Sequence, residues 1–312
     1  MDNTISVIIP TRNRIKVLEN TLISICSGSL VPKEIIIVDQ SDIPLKKSFF
    51  NNEILKKTTI KLFHLSKPSS TIARNLGIKQ ATSEIVLFVD DDIALDKSSI
   101  EKIGLSFNDP CIALVDAIDI QSRNIKRHYP SLFGYVFLRK KPFKKGGYIC
   151  KGAVLGRYPR NINSFTYTEW AMGYLFAIRK SVLDELKIKF EEKFKSYAYA
   201  EDLDFTYRFI KEASKQGYKA VINPDIYVQH LSSREWRIPA EEATIYYVMN
   251  RYFVSYKNFK NPLYRLALIW SDVGEFIRRI LTREHPLTLA KAHIFCLKNR
   301  KSLKQGLIPI QQ

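Results

Sequence analysis

The sequence predicts the α/β class: a doubly wound, largely parallel sheet followed by a helical C-terminal appendage. Three observations carry this. Short β-branched apolar runs alternate with helical stretches through the first third of the chain. Two of those runs end in acids, at Asp39 and at Asp90-Asp91-Asp92, and open α/β sheets bind ligands beyond the carboxyl ends of their strands. After about Ser232 the pattern changes to long three-and-four spacing.

Taken in order, Ile5–Pro10 is a buried strand closed by Pro, and Thr11–Arg14 a polar loop. Val17–Cys26 has helical spacing through Val17, Leu18, Leu22 and Ile25. Lys33–Asp39 is a second buried strand, Glu53–Lys57 a short helix, and Ile60–Leu65 an alternating third strand. Ser70–Ala81 is a helix entered through Ser and Thr caps. Glu84–Val89 is the fourth strand and runs into the three aspartates. Cys111–Ile118 is a further strand, and Ile120–Thr168 reads as loops and a hairpin. Ala171–Ile178 is apolar with an internal Gly. Glu201–Lys211 is helical, and Lys219–Ile222 and Ile226–His230 are two short strands. Ala240–Phe259, Leu263–Leu281 and Leu287–Leu303 are helices. In the second of these, Leu263, Leu266, Ala267, Trp270, Val273, Ile277, Ile280 and Leu281 form one stripe, with Arg265, Asp272, Glu275 and Arg279 on the other side. That stripe is expected to pack onto the preceding domain or a dimer partner. The expected domains are 1–232, divided near residue 95, and 233–312.

The chain has 312 residues, 46% of them hydrophobic and 26% charged, a globular profile that excludes disordered and collagen-like classes. Cys26, Cys111, Cys150 and Cys296 are isolated, so neither a disulfide scaffold nor a zinc knuckle is expected. The net charge is +18. From Ile120 to Thr168 there is no acid and there are eleven bases: Arg123, Lys126, Arg127, Arg139, Lys140, Lys141, Lys144, Lys145, Lys151, Arg157 and Arg160. From Phe276 to Gln312 eight bases accompany one acid, Glu284. Such clusters attract phosphate-rich partners or serve as a solubilising surface. Residues 1–10 lack a basic n-region, and no window approaches the roughly 20 apolar residues of a membrane span. A cytoplasmic protein is expected, or one lying peripherally on the inner face of the plasma membrane.

Three features offer chemistry. Asp90, Asp91 and Asp92 repel one another, and a divalent cation such as Mg2+ or Mn2+ relieves that repulsion; a solvated strand-end turn is the alternative. Glu201, Asp202 and Asp204 open a helix, where acids either complement the helix dipole or act as a general base. Arg74 can reach a diphosphate. His230, after a strand, is a structural residue or a ligand.

In order, the blocks SVIIPTRNR (6–14), EIIIVDQSD (34–42), IARNLGIKQATSEIVLFVDDD (72–92), GYLFAIRKS (173–181), AEDLDFTYRF (200–209) and GYKAVINPDIYVQH (217–230) resemble the inverting nucleotide-sugar glycosyltransferases of family 2. The resemblance implies the GT-A fold, a Rossmann-like nucleotide-diphospho-sugar transferase sheet. It implies that Pro10, Thr11, Arg14, Asp39, Arg74, Asp90, Asp91 and Gly173 bind the donor, Asp39 through its base. Asp92, Asp90 and His230 would form the metal shell, Asp90 and Asp92 being the D-x-D pair. Asp202 would be the catalytic base, with Glu201 positioning it or the acceptor. The loop before Arg74 reads KPSST where the family is more glycine-rich, and residues 120–168 have no counterpart in the family pattern.

The implied reaction is metal-dependent, inverting hexosyl or deoxyhexosyl transfer from a UDP-sugar, or a dTDP-sugar, in surface polysaccharide or glycolipid synthesis. Mn2+ or Mg2+ is the implied cofactor. The acceptor is a glycan or a polyprenyl-diphosphate-linked sugar, with an anionic membrane surface as a further partner and a homo-oligomer compatible. The acid-free segment, with Tyr129, Phe133, Tyr135, Phe137, Phe143 and Tyr148 among its bases, is expected to meet diphosphate and lipid, and Leu287–Lys304 to contact the membrane. Two competing readings are a basic nucleic-acid-binding protein and a non-catalytic sugar-nucleotide binder. The first lacks any nucleic-acid motif, and no nucleic-acid partner is expected. The second is opposed by the intact acid pairs.

Overall fold

The computed structural model describes residues 4–50, 52–119, 131–141, 146–158, 162–194, 198–231 and 238–307. The first half runs β1 (Ile5–Thr11), α1 (Ile15–Cys26), β2 (Glu34–Asp39), α2 (Asn52–Lys57), β3 (Thr59–His64), α3 (Ser70–Gln80), β4 (Ile85–Val89), β5 (Ile93–Leu95) and α4 (Ser99–Ser106). Then come β6 (Ile112–Asp119), α5 (Ser131–Val136), the hairpin β7 (Tyr148–Cys150) and β8 (Leu155–Arg157), β9 (Thr166–Tyr167) and β10 (Leu175–Arg179). The remainder is α6 (Lys180–Leu186), α7 (Glu201–Lys215), β11 (Lys219–His230), α8 (Ala240–Asn258), α9 (Leu263–Thr282), α10 (Pro286–Lys298) and α11 (Arg300–Lys304).

The sheet order is β3-β2-β1-β4-β10-β6-β11-β5, with β9 beside β11. The first four strands are parallel, as the alternating pattern predicts. The second half is mixed. β10 enters antiparallel between β4 and β6, and β5 and β9 pair antiparallel with β11. A fully buried apolar run reads the same in either direction, so its sequence does not carry this reversal. The two short strands expected around residue 224 are one strand, β11, whose register shifts between Ile222 and Tyr227. β5, α4, α5 and α6 lie where no element was expected.

Helices cover both faces of the sheet, and the strands divide their side chains between them with period two. Ile5, Val7 and Ile9 join Leu18, Leu22, Ile103 and Phe107 on one face. Ile8, Val86, Phe88 and Phe176 join Phe205, Phe209 and Val182 on the other. Each buried side chain of this size contributes about 1.5–3 kcal/mol. α3 lies so close to β1 that a Cβ on Gly77 would run into Ile8. Ser69 caps that helix by accepting from the Ile72 amide. The close seat fixes where Ser70 and Arg74 point.

The C-terminal helices share an apolar cluster with the middle of the chain: Val248, Tyr252, Leu268, Leu289 and Leu303 pack with Ile149, Val154, Trp170, Leu203 and Ile222. They are also joined by charge. Arg251, fully buried, donates from Nη1 to both Asp272 oxygens at 2.8 Å and from Nε to the Ala153 carbonyl at 2.8 Å. His293 Nε2 lies 2.9 Å from Asp272. Glu275 pairs with Arg139 at 3.2 Å, Arg279 at 3.1 Å and Arg278 at 2.6 Å. This network turns the charged side of α9 inward and leaves most of its apolar stripe off the domain, where it was expected to pack if not on a dimer partner. Leu263, Leu266, Trp270, Val273, Ile277, Ile280 and Leu281 are all exposed. A buried arginine must be paired, and the pairing decides which face of the helix goes in.

Of the acid-free segment, Arg123, Lys126, Arg127, Tyr129, Phe143, Lys144, Lys145 and Arg160 lie outside the described residues. Two of its described bases serve internal bonds: Arg139 pairs with Glu275, and Arg157 Nε donates to the Arg139 carbonyl at 2.9 Å. The four cysteines are free. Among the described residues, no helix is long and apolar enough to cross a membrane.

Burial alone would raise the Asp272 carboxyl, but Arg251 and His293 hold it at about 2, below its ordinary 3.8. A depressed native value stabilises above the unfolded one and ceases to do so as the pH falls through about 2. Asp272→Asn leaves Arg251 buried without its counter-charge and should cost about 3–5 kcal/mol in urea unfolding at neutral pH. The gap between wild type and variant should close as the pH is lowered from about 4 toward about 2.

Candidate active site

Parallel pairing brings the ends of β1, β2 and β4 side by side, with Thr11 in register with Asp39. Beyond them sit the three aspartates. They point to different partners. Asp91 turns inward, accepting from Thr11 Oγ1 at 2.7 Å and Arg14 Nη1 at 2.6 Å. Burial pushes its carboxyl up to about 7 even so. Asp92 accepts from Arg14 Nη2 at 2.8 Å and lies 3.1 Å from His230 Nε2. Burial opposes its ionisation, yet those two partners hold it at about 2. The same contact raises His230, against its own burial. β11 delivers His230 because His230 pairs with Ile93 of β5, one residue beyond Asp92. Tyr174 stacks on the His230 ring, centroids 5.6 Å apart.

Asp90 has a partner of its own. Arg74 Nη2 donates to it at 2.9 Å, while Nη1 donates to Glu201. Ser70 Oγ donates to the other Glu201 oxygen at 2.8 Å. Burial raises both Asp90 and Glu201 even with Arg74 between them. Asp202 accepts from the amides of Gly173 at 2.9 Å and Leu203 at 2.7 Å. Burial raises its carboxyl as well, against those two donors. Gly173 has a reason to be glycine: a Cβ there would lie 3.0 Å from the Asp202 Cβ and 3.2 Å from Oδ2. Ala200, immediately before α7, is left-handed with φ +67, a conformation that costs a residue with a side chain about 1–2 kcal/mol. It turns the chain so that Glu201 and Asp202 enter the site.

Among the described residues, Asp90, Asp92 and His230 each offer a ligand atom, all within 4.8 Å of one another. The two carboxylates suit Mn2+ or Mg2+, and the imidazole favours the softer Mn2+ of the two. Asp39 is fully buried, and its carboxylate accepts from the Ser41 amide at 2.9 Å and the Leu45 amide at 2.7 Å, with His64 Nδ1 at 3.3 Å. It therefore shapes the loop after β2. Pro10 precedes Thr11 in β1, in register with Val38. Asp204, third acid of the helix start, is held below its usual range, despite burial, by Arg208 and Lys257; it also accepts from Asn258 at 2.8 Å, tying α7 to α8.

The family model for glycosyl transferase family 2 matches residues 6–186. The chain belongs to that family. Among curated proteins it is 27% identical over 278 residues to the poly(ribitol-phosphate) β-N-acetylglucosaminyltransferase TarP of Staphylococcus aureus, covering 84% of this chain and 74% of that protein. It is 32% identical over 139 residues to the uncharacterised glycosyltransferase YwdF of Bacillus subtilis, 42% of this chain and 50% of that one. Among solved structures, the mannosyltransferase PcManGT of Pyrobaculum calidifontis, in complex with GDP-Man and Mn2+, superposes with TM-score 0.55 at 16% identity, covering 97% of this chain and 84% of that one. The GT-A fold of the family 2 enzymes is thus the fold of this chain.

Sequence reading missed Ser70, Tyr174 and Asp116. Asp116 is fully buried in β6. It accepts from the Met172 amide at 3.2 Å and from Tyr158 Oη, next to the Gly173 amide that holds Asp202. A lone acid inside the apolar run IALVDAI was its only signal in sequence.

Arg74→Met should leave Asp90 and Glu201 facing each other with no shared cation. We expect about 2–4 kcal/mol of lost stability by thermal or urea unfolding. Arg74→Lys should recover only part of it, because one ammonium does not span both carboxylates as a guanidinium does. Full recovery by lysine would refute the bridging role.

Proposed function

We propose that the chain is a metal-dependent inverting transferase that moves a hexosyl or deoxyhexosyl group from a nucleoside-diphosphate sugar to an acceptor hydroxyl. UDP is the favoured nucleotide and dTDP the second. The observation that carries this reading is that one site holds two kinds of carboxylate: Asp90 and Asp92 with His230, their ligand atoms within 4.8 Å of one another, and Asp202 held apart by the Gly173 and Leu203 amides. Asp92 is held ionised at about 2, while burial raises Asp202. Groups pushed apart in this way divide charge stabilisation from proton transfer.

Asp90, Asp92 and His230 are assigned to the divalent cation, and their donor set fits Mn2+ or Mg2+. Bound there, the cation would supply Lewis-acid stabilisation of the charge that grows on the leaving diphosphate. His230 must be neutral to ligate, so metal affinity should fall as the pH drops below its raised native pKa. Asp202 acts as general base. Its carboxylate takes the proton of the acceptor hydroxyl as that oxygen bonds to the anomeric carbon, and the bond from that carbon to the diphosphate oxygen breaks on the opposite face. One displacement inverts the centre. Glu201, fixed by Arg74 and Ser70, positions the acceptor or the base. Pro10, Thr11, Arg14, Asp39, Arg74, Asp90, Asp91 and Gly173 are assigned to the donor pocket, Thr11 and Arg14 through their hold on Asp91 and Asp92 and Arg74 through its hold on Asp90.

Residues 1–232 are assigned to catalysis, with the donor half near 1–95, and 233–312 to an extension that braces the acceptor half. A glycan or lipid-linked acceptor bearing phosphate fits the basic charge of the chain. TarP, whose name specifies a poly(ribitol-phosphate) acceptor, is a relative that supports an anionic acceptor. Surface polysaccharide or glycolipid synthesis is the setting this reading favours.

Asp202→Asn should lower transfer by about 10²–10⁴-fold with nucleotide affinity nearly unchanged. Full transfer by this variant would remove Asp202 from the mechanism. Calorimetric titration of UDP, dTDP, GDP and CDP with and without Mn2+ should find one uracil or thymine nucleotide whose binding needs both the metal and Asp92. Metal-independent binding that survives Asp92→Ala would overturn the cation site. Gly173→Ala should reduce turnover more than donor affinity, since its Cβ meets the base.

A further inference from the structure

We propose that the outward face of α9, extended by α5, seats in the interface of a membrane with anionic headgroups. α9 is amphipathic in the inverted sense. Leu263, Leu266, Trp270, Val273, Ile277 and Ile280 recur at three-and-four spacing and are all exposed, while Ser271, Asp272 and Glu275 are buried. A 20-residue helix is about 30 Å long, so the apolar side chains face outward along its whole length. α5 widens the strip. Trp270 Nε1 donates to the Val136 carbonyl at 2.7 Å, the Phe137 ring lies 5.2 Å from the indole, and Leu132 and Val136 are exposed beside it. A contiguous apolar face of this kind marks an interaction surface.

Charge selects the occupant. The stretch from Phe276 onward carries eight bases and a single acid, and of the eight Arg278 and Arg279 are held by Glu275. Arg283 follows α9, and Lys291, Lys298 and Lys304 are exposed on the helices after it, of which α10 packs against α9. Two copies meeting through this bundle would bring like charge together, whereas anionic headgroups attract it. Trp270 is half-exposed with its N–H already bonded to the Val136 carbonyl, so its ring can enter an apolar layer without leaving a donor unpaired. With no crossing helix among the described residues, contact lies in the interfacial plane. The inverted face is fixed by the Arg251–Asp272 pair and does not depend on the transferase reading.

The test is co-sedimentation of the full chain with vesicles of phosphatidylcholine alone and of phosphatidylcholine with phosphatidylglycerol, at low and high salt. Wild type should bind the phosphatidylglycerol vesicles, more weakly at high salt. Leu266→Ser combined with Ile277→Ser should weaken binding by about tenfold or more, with an unchanged thermal melt. Brominated acyl chains should quench wild-type fluorescence and quench Trp270→Phe less. Equal binding by the double variant would overturn the assignment. So would binding that does not distinguish the two vesicles, or a wild-type dimer that the double variant dissociates while neither form binds lipid.

Discussion

The site depends on the Arg74 guanidinium between Asp90 and Glu201. Asp90 follows β4 in the first half of the chain, and Glu201 opens a helix more than a hundred residues later. Both carboxylates are raised by burial, and Asp202 stands beside them. Left alone, like charges so placed would drive the two halves apart or take up protons. Arg74 is itself buried, and its two ends meet one acid from each half. The close seat of α3 on β1 at Gly77 keeps the arginine in place, so an apolar packing detail sets an electrostatic one.

Arg14 plays a second, parallel part. By donating to Asp91 and Asp92 it separates three adjacent aspartates into distinct roles: one folded inward, one facing His230, and one left to Arg74. The result is a pocket whose carboxylates do not titrate together. Asp92 stays ionised, while Asp91 and Asp202 have a raised affinity for protons. The proposed transfer draws on such a division, because a carboxylate committed to stabilising charge is not also a good proton acceptor.

The C-terminal helices obey a different constraint. Their contact with the rest of the chain is partly a polar core, built on Arg251, Asp272, His293 and Glu275. Such networks are costly unless every member is paired, and here the cost falls on orientation. Satisfying Arg251 draws Asp272 inward and Arg139 draws Glu275 with it, which forces the apolar stripe of α9 outward. Asp204 adds a tether from α7 to α8, linking the helix that carries Glu201 and Asp202 to the same bundle.

The sequence by itself determined the alternating elements, the strand ends and the order of the acid blocks. Each rests on local periodicity or on residue type: β1, β2 and β4 are short β-branched runs, and Asp39, Asp90–Asp92, Glu201 and Asp202 sit at their ends or at a helix start. Tertiary structure alone decided which groups meet. Arg74 bridges to an acid 127 positions away, Asp116 lies beneath Gly173, and β10 runs against its neighbours although its apolar composition is indifferent to direction. It also reversed α9. Helical spacing identifies two faces but not which one is buried, because that choice belongs to a buried arginine on another helix and the partners it must find.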